Sequence, residues 1–269
     1  MGGMTTQFDL DTRELAESYD RLSDTQFRFG TLLVDRLGIR PGQRVLDVGC
    51  GTGRLAEHLA QRVGPSGEVL GIDPLPFRLE IARKRARPGL SFALGGSDDL
   101  PRFADRSWDA VCLNSVFHWI ERKEEALREI RRILRPGGRL GIATGDKEQP
   151  NPFSAIIREA IASVMGGIPE GARISPFLLS AEELRALVLA AGFPFVEVES
   201  TLHSDFVDRV DDLLEFFQAS SFGNFLALVP AERRAAVTGR IRRELEKLRT
   251  ARGIERRFRR LLLVAERKD

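Results

Sequence analysis

The stretch Val45-Leu46-Asp47-Val48-Gly49-Cys50-Gly51-Thr52-Gly53-Arg54-Leu55 constrains this 269-residue chain more than any other. Its apolar start, interrupted only by Asp47, reads as a short strand. Three glycines at alternate positions then prevent regular structure until Arg54, after which Leu55, Leu59 and Val63 recur at helical spacing. A strand, a glycine turn and a helix N-terminus leave backbone N–H groups pointing out of a concave surface that suits a polar ligand. A second apolar strand, Glu68 to Ile72, ends in Asp73, twenty residues after Gly53. A carboxylate at that separation is placed to accept hydrogen bonds from both hydroxyls of a ribose.

Two ligand classes use such a loop. Dinucleotide folds prefer G-x-G-x-x-G, whose third glycine lets a helix pack close to a pyrophosphate. Here the spacing is G-x-G-x-G, with Arg54 and Leu55 where that pattern wants another small residue. The segment VLDVGCGTG resembles motif I of the class I S-adenosylmethionine (SAM)-dependent methyltransferases of small-molecule type, including the trans-aconitate and ubiquinone-biosynthesis kinds. That resemblance implies a doubly wound, Rossmann-like α/β fold with a seven-stranded, mostly parallel sheet, and SAM as cofactor. It sets the loop against the methionine part of SAM and Asp73 on the ribose, and so assigns Asp47, Gly49, Cys50, Gly51, Gly53, Asp73 and Pro74 to the cofactor. Leu134-Arg135-Pro136-Gly137-Gly138-Arg139-Leu140 resembles the family in a structural role.

Composition bounds the rest. The chain is 42% hydrophobic and 30% charged, which suits one large domain carrying an insertion. A formal net charge of +2 does not force a nucleic-acid or membrane partner. Cys50 and Cys112 lie in apolar strand-end contexts, pointing to a reducing compartment without a disulfide framework. No apolar run is long enough to span a membrane, and residues 1–10 lack a signal-peptide pattern. The expectation is a soluble cytoplasmic protein, with a homodimer left open.

Residues 11–37 carry helical spacing, and 1–37 are expected to form an N-terminal helical lid; the core follows at 38–145. Related small-molecule enzymes fold a "YD" helix over SAM, which assigns Tyr19 to the methionine end, with an ordinary amphipathic helix as the alternative. Arg28 is a further candidate partner for the methionine carboxylate. In the helix after Pro74, the charges of Arg78, Arg83, Lys84 and Arg85 read as a solvated face. Leu90 to Leu94 read as the third strand. Its exit, Gly95-Gly96-Ser97-Asp98-Asp99-Leu100-Pro101, resembles the family's adenine loop G-D-A-x-x-L-P, but Gly96 stands in the acid's place, so Ser97 and Asp98 are the candidate adenine contacts. Trp108 to Leu113 form an unbroken apolar run, as expected for a strand covered on both faces. Its exit, from Asn114 and Ser115 to Trp119, should border the pocket, because ligands bind beyond the carboxyl ends of such strands. A helix at 123–134 and a fifth strand from Arg139 to Thr144 complete the alternation that calls for a parallel sheet.

The second half is less regular. Residues 146–178 and 203–256 read as helical cap insertions. Between them lie a core helix, capped by Ser180 with Glu183, and a sixth strand at Val196–Ser200, together spanning 179–202. Leu261 to Ala265, within 257–269, is the candidate seventh strand. Phe216, Phe217, Phe222 and Phe225 surround Ser220-Ser221 and Asn224. Phe217, Phe222 and Asn224 are therefore candidates for a substrate wall, with a bend in the cap core as the alternative. The arginine-rich C-terminal quarter, interleaved with glutamates, reads as a salt-bridged surface, or as a dock for an anionic or carrier-bound substrate.

Methyl transfer from a sulfonium needs alignment and exclusion of water, and a base only where the acceptor must lose a proton. His118 is the leading base candidate, flanked by Phe117 and Trp119 as substrate contacts, with packing and orientation of the following helix as the alternative for His118 and Trp119; His203 is the second base candidate. The function implied is methyl transfer to an oxygen or carbon of a small organic molecule, with no metal. A non-catalytic SAM-binding protein is the main rival. An NAD-dependent oxidoreductase fails on glycine spacing, and nucleic-acid methylation lacks an N-P-P-Y type motif at the strand-four exit.

Overall fold

A computed structural model describes residues 8–167, 177–227 and 229–269, without the side chains of Asn224 and Ala227. The first half alternates strands and helices: α1 (Arg13–Leu22), α2 (Asp24–Leu37), β1 (Arg44–Val48), α3 (Arg54–Val63), β2 (Glu68–Asp73), α4 (Pro76–Arg83), β3 (Leu90–Leu94), β4 (Trp108–Asn114), α5 (Lys123–Ile133) and β5 (Leu134–Gly145). The second half adds α6 (Phe153–Met165), α7 (Ala181–Ala190), β6 (Phe195–Val207), α8 (Val210–Ser220), α9 (Asn224–Ala227), α10 (Ala231–Glu246), β7 (Arg249–Thr250) and β8 (Gly253–Glu266).

The strands form one sheet in the order β3-β2-β1-β4-β5-β8-β6. Pairing is parallel from β3 to β5 and antiparallel where β8 meets β5 and β6. The seven-stranded, mostly parallel expectation holds, with the two-residue β7 added against β8. The chain reverses direction across the sheet between β1 and β4, and this is where a ligand crevice opens in a doubly wound fold.

Alternate strand residues serve opposite faces. Leu46, Val48, Val111 and Leu113 join α5 and α7 in one apolar cluster, through Ala126, Leu127, Ile130, Leu184 and Val188. Val45, Ala110 and Cys112 join α2 and α3 in another, through Leu33, Val34, Leu37, Leu55 and Leu59. Burial on both faces is what makes these strands read as continuous apolar runs. Within the span read as an N-terminal lid, α1 packs on α4 and α8, whereas α2 lies on the sheet itself. A third cluster, built on Phe153, Ile157, Val210, Leu213, Phe217, Val237 and Ile241, joins α6, α8 and α10.

Two strands are longer than anticipated. β6 and β8 stay paired from Phe195 and Glu266 out to Val207 and Ile254, so residues 203–207 and 253–256 are strand where helical insertion was expected. β5 leaves β8 after Gly145 and Arg260, and the remaining ribbon carries on toward the third cluster, which it enters through Ile254. β5 also begins earlier, at Leu134, with a register shift against β4 that absorbs Arg135 to Gly138.

Candidate active site

The glycine loop is held by the strand beside it. Gly49 and Cys50 both donate from their backbone N–H to the Ile72 carbonyl, at 2.7 and 3.0 Å. Gly51 donates to Asp73 Oδ2 at 2.7 Å, and Leu75 N–H donates to Asp73 Oδ1 at 2.9 Å. Asp73 is buried, and burial raises its pKa against the opposing pull of the Arg78 guanidinium and these two backbone donors. Gly49 and Gly53 have φ of +71° and +83°. A Cβ on Gly53 would meet the Phe92 ring at 2.9 Å and Ala82 at 3.0 Å, so this glycine lets α3 pack closely and does not face a ligand.

A cavity of about 1320 Å³ opens above the loop, and a smaller one of about 40 Å³ lies beside it; both are lined by Tyr19, Gln26, Gly49, Gly51 and Asn114. Asp47 lines the smaller one with Oδ2 unpartnered, and its pKa is pushed up to about 7, first by burial and then by Asp73. Gln26 Oε1 and Asn114 Oδ1 are likewise buried without a hydrogen-bond partner.

The far wall has a different character. His118 sits in a helical turn, Phe117–Trp119, just after β4, with Nδ1 3.1 Å from Thr144 Oγ1. Its pKa is pushed down to about 3 by burial, then by the cations Arg260 and Lys123. Arg260 is 8% exposed, donates to the Ser115 hydroxyl at 2.6 Å and stacks over Phe29 at 4.8 Å. Arg78 is 3% exposed, lies 3.7 Å from Asp11, donates to the Ala219 carbonyl, and is sandwiched by the rings of Tyr19 and Phe222 at 4.2 and 4.8 Å. Trp119 packs on Phe222 at 4.8 Å.

Residues 46–142 match the family model of a methyltransferase domain. The chain is 33% identical over 182 residues to a demethylmenaquinone methyltransferase of Renibacterium salmoninarum, covering 64% of this chain and 74% of that one. It is 35% identical over 190 residues to the methyltransferase GfsG of Streptomyces halstedii, covering 67% of this chain and 63% of that one. The solved structure of Haemonchus contortus phosphoethanolamine N-methyltransferase 2 with S-adenosyl-L-methionine superposes with a TM-score of 0.61 at 18% identity, over 96% of this chain and 58% of that one. The chain belongs to the SAM-dependent methyltransferases.

The residues of this methyltransferase fit that cofactor. Three buried acceptors without partners, Asp47 Oδ2, Gln26 Oε1 and Asn114 Oδ1, fall on one small cavity, and an ammonium group with its three donors satisfies such a set. Beside it, Asp73 keeps lone pairs free on the floor of the main cavity.

The anticipated site residues divide. Tyr19, Gly49, Gly51, Asp73, Pro74, Ser97, Asp98, Asn114, Ser115, His118, Trp119, Phe217 and Phe222 line the main cavity, and Asp47 and Cys50 line the small one. Phe117 is 1% exposed and belongs to the core under β4, so it is a packing residue, because the turn that exposes His118 points its neighbour inward. His203 lies on the outer ribbon with its ring 4.2 Å from Phe29, and Arg28 is exposed; neither lines the cavity. The Asn224 side chain lies outside the described residues. Asp98 pairs with Arg122 at 3.1 Å and Asp99 accepts from Gly96 N–H at 2.8 Å, so the loop acids hold the loop's own shape.

Sequence reading missed Arg78, Arg256 and Arg260. Arg78 reads in sequence as a solvated charge, and the other two as part of a basic quarter that is either salt-bridged surface or a dock for an anionic substrate, with nothing that singles them out; all three are buried on the cavity. The structure shows a period of two, with residues 254, 256, 258 and 260 buried, 257 exposed and 255 and 259 between, but two of the inward positions are arginines, so hydropathy carries only Ile254 and Phe258 of that pattern.

Because His118 is buried neutral while an unfolded histidine titrates near 6.5, the unfolded chain binds the extra proton first as pH falls. Stability should therefore drop by about 1.4 kcal/mol per pH unit from roughly pH 6.5 toward pH 3. Denaturant titrations of the parent and His118→Asn across pH 4–7 should show a shallower acid limb in the variant.

Proposed function

We propose that this methyltransferase moves the methyl group of SAM to an oxygen or carbon of a small organic molecule bound between His118 and the aromatic wall of Trp119, Phe217 and Phe222. The observation that carries this reading is that His118 and the Asp73–Gly51 cradle line one continuous cavity. SAM supplies a methyl carbon already activated by the adjoining sulfonium. Asp73 would hold the ribose; Asp47, Gln26 and Asn114 the ammonium; Ser97 and Pro74 the adenine side; and Tyr19 would close over the methionine end. The first relative acts, by its name, on demethylmenaquinone, which supports an organic acceptor.

His118 is proposed as the proton acceptor, oriented through Nδ1 by Thr144. As a neutral imidazole it is ready to receive a proton, and its lowered pKa means that the acceptor must arrive with its own acidity or negative charge. Cys50 and Cys112 are buried, and burial raises both thiols, which leaves no thiolate pair for a metalloid and supports a reducing, cytoplasmic setting. In the proposed division, α6, α8 and α10 with their own apolar cluster cap the chamber that the sheet floors.

Three outcomes are expected. Asp73→Ala should weaken SAM binding by ~1.5–3 kcal/mol, the scale of losing hydrogen bonds to a charged group, as read by calorimetry; unchanged affinity would remove Asp73 from the ribose. Seating an ammonium beside Asp47 should expel its proton, so SAM binding at pH 6–7 should release protons, with a heat that varies with buffer ionisation and loses that dependence in Asp47→Asn. Screened with labelled SAM against a panel of organic acceptors, His118→Asn should turn over ~10²–10⁴ more slowly with SAM affinity intact; a loss under about threefold leaves His118 a packing residue.

A further inference from the structure

The charges of the cavity are unevenly spread: its acids share one side with Arg78 and Arg122, whereas the opposite wall carries cations alone among the described residues. Its acids, Asp73, Asp98, Asp99 and Glu121, come from the exits of β2, β3 and β4. The wall built from β5, α6 and β8 contributes Lys147, Arg158, Arg256, Arg259 and Arg260, and no carboxylate among the described residues that line it.

The buried arginines of this cavity are not equivalent. Arg256 is clamped by both carboxylate oxygens of Asp205 and by the Thr25 hydroxyl. Arg78 has Asp11 and the Ala219 carbonyl. Arg260, two residues along the same strand face from Arg256, has no carboxylate within ion-pair distance among the described residues. Its one hydrogen bond there goes to the Ser115 hydroxyl, and its Nε is buried without a partner. Ser115 holds that hydroxyl from a left-handed backbone, φ +61°, a conformation that costs a non-glycine residue and persists only where its surroundings impose it. A buried guanidinium left uncompensated is strongly destabilising, and supplying the missing anion removes the penalty.

We propose that Arg260 is the anchor for a carboxylate on the methyl acceptor, so that the substrate is a small organic acid seated between Arg260, Ser115 and His118. The assignment rests on the methyl-transfer reading above and names its substrate class. A single buried guanidinium without a carboxylate partner, stacked on Phe29 in a cavity also lined by Trp119, matches a monoanion attached to an apolar body, rather than a phosphate dianion, which draws several desolvated cations. Burial lowers the Arg260 pKa only to about 10, so the cation persists at neutral pH. After burial, the same charge is the next cause of the lowered His118 pKa, and an arriving carboxylate offsets that part of the shift.

The test compares acids with their amides in calorimetric titrations, with and without saturating S-adenosylhomocysteine: acetate, benzoate, phenylacetate and phenylpropionate against the matching amides, with inorganic phosphate as a separate arm. At least one acid should bind the parent tenfold or more tightly than its amide. Arg260→Gln should erase that ratio while keeping S-adenosylhomocysteine affinity within twofold, and Arg260→Lys should retain part of it. The ligand-free Gln variant should melt no lower than the parent, since it loses an uncompensated charge. No acid surpassing its amide in the parent, an unchanged ratio in Arg260→Gln, or phosphate binding as tightly as the best acid would each overturn the proposal. Failure of S-adenosylhomocysteine to bind the parent would instead strike the methyl-transfer reading, because the acid–amide ratio measured without it still reports on Arg260.

Discussion

The site depends first on how Asp73 is spent. Both of its carboxylate oxygens accept backbone N–H groups, one from Gly51 in the glycine loop and one from Leu75 at the head of α4. A buried carboxylate is costly, and here two donors together with the nearby Arg78 offset that cost. The consequence is geometric: the acid fixes the bend of the loop in the act of being fixed by it. The cradle is thus formed before any ligand arrives, and binding need not meet the entropy of ordering it.

That economy has a complement in the acceptors left over. Asp47 and Asn114 come from β1 and β4, which are neighbours in the sheet, and Gln26 joins them because α2 packs on the sheet. Each holds a buried oxygen with no partner. Other buried polar atoms also lack partners, but only here do three acceptor oxygens from separate elements share one small cavity, which marks a place where a cationic donor group completes the structure. The proposed carboxylate anchor at Arg260 is the same logic with the sign reversed: acceptors wait for a cation at the small cavity, and at Arg260 a cation waits for an acceptor.

Much of this was readable in the chain, and what was not failed for a physical reason. The glycine loop, Asp73, the strand-four exit and the alternation to β5 were legible because each rests on local chemistry: glycine conformation, strand hydrophobicity and helix caps such as Ser180 with Glu183. Phe117 was misread because a single helical turn separates an inward from an outward residue, which spacing alone does not resolve. The outer ribbon of β6 and β8 escaped because its inward positions 256 and 260 are arginines, so a hydrophobic period of two was there in burial but absent in hydropathy. Arg78 was hidden in the same way, by a helix whose other basic residues do face outward.

Buried arginine is therefore the device that both conceals the substrate chamber in the sequence and builds it in the fold. Besides the packing of α1 on α8, Arg78 ties the cap to the loop side of the molecule, pinned between Tyr19 of α1 and Phe222 beyond α8 and donating to the Ala219 carbonyl in the last turn of α8. Phe222 takes a left-handed backbone, φ +57°, to present its ring there. Strain at Phe222 and at Ser115 thus falls on the two residues that position arginines around one cavity. The third such residue among those described, Arg106, sits in an exposed turn, but Ser115 and Phe222 stand at the cavity wall, where the surrounding packing imposes their backbone and with it the arrangement of these cations.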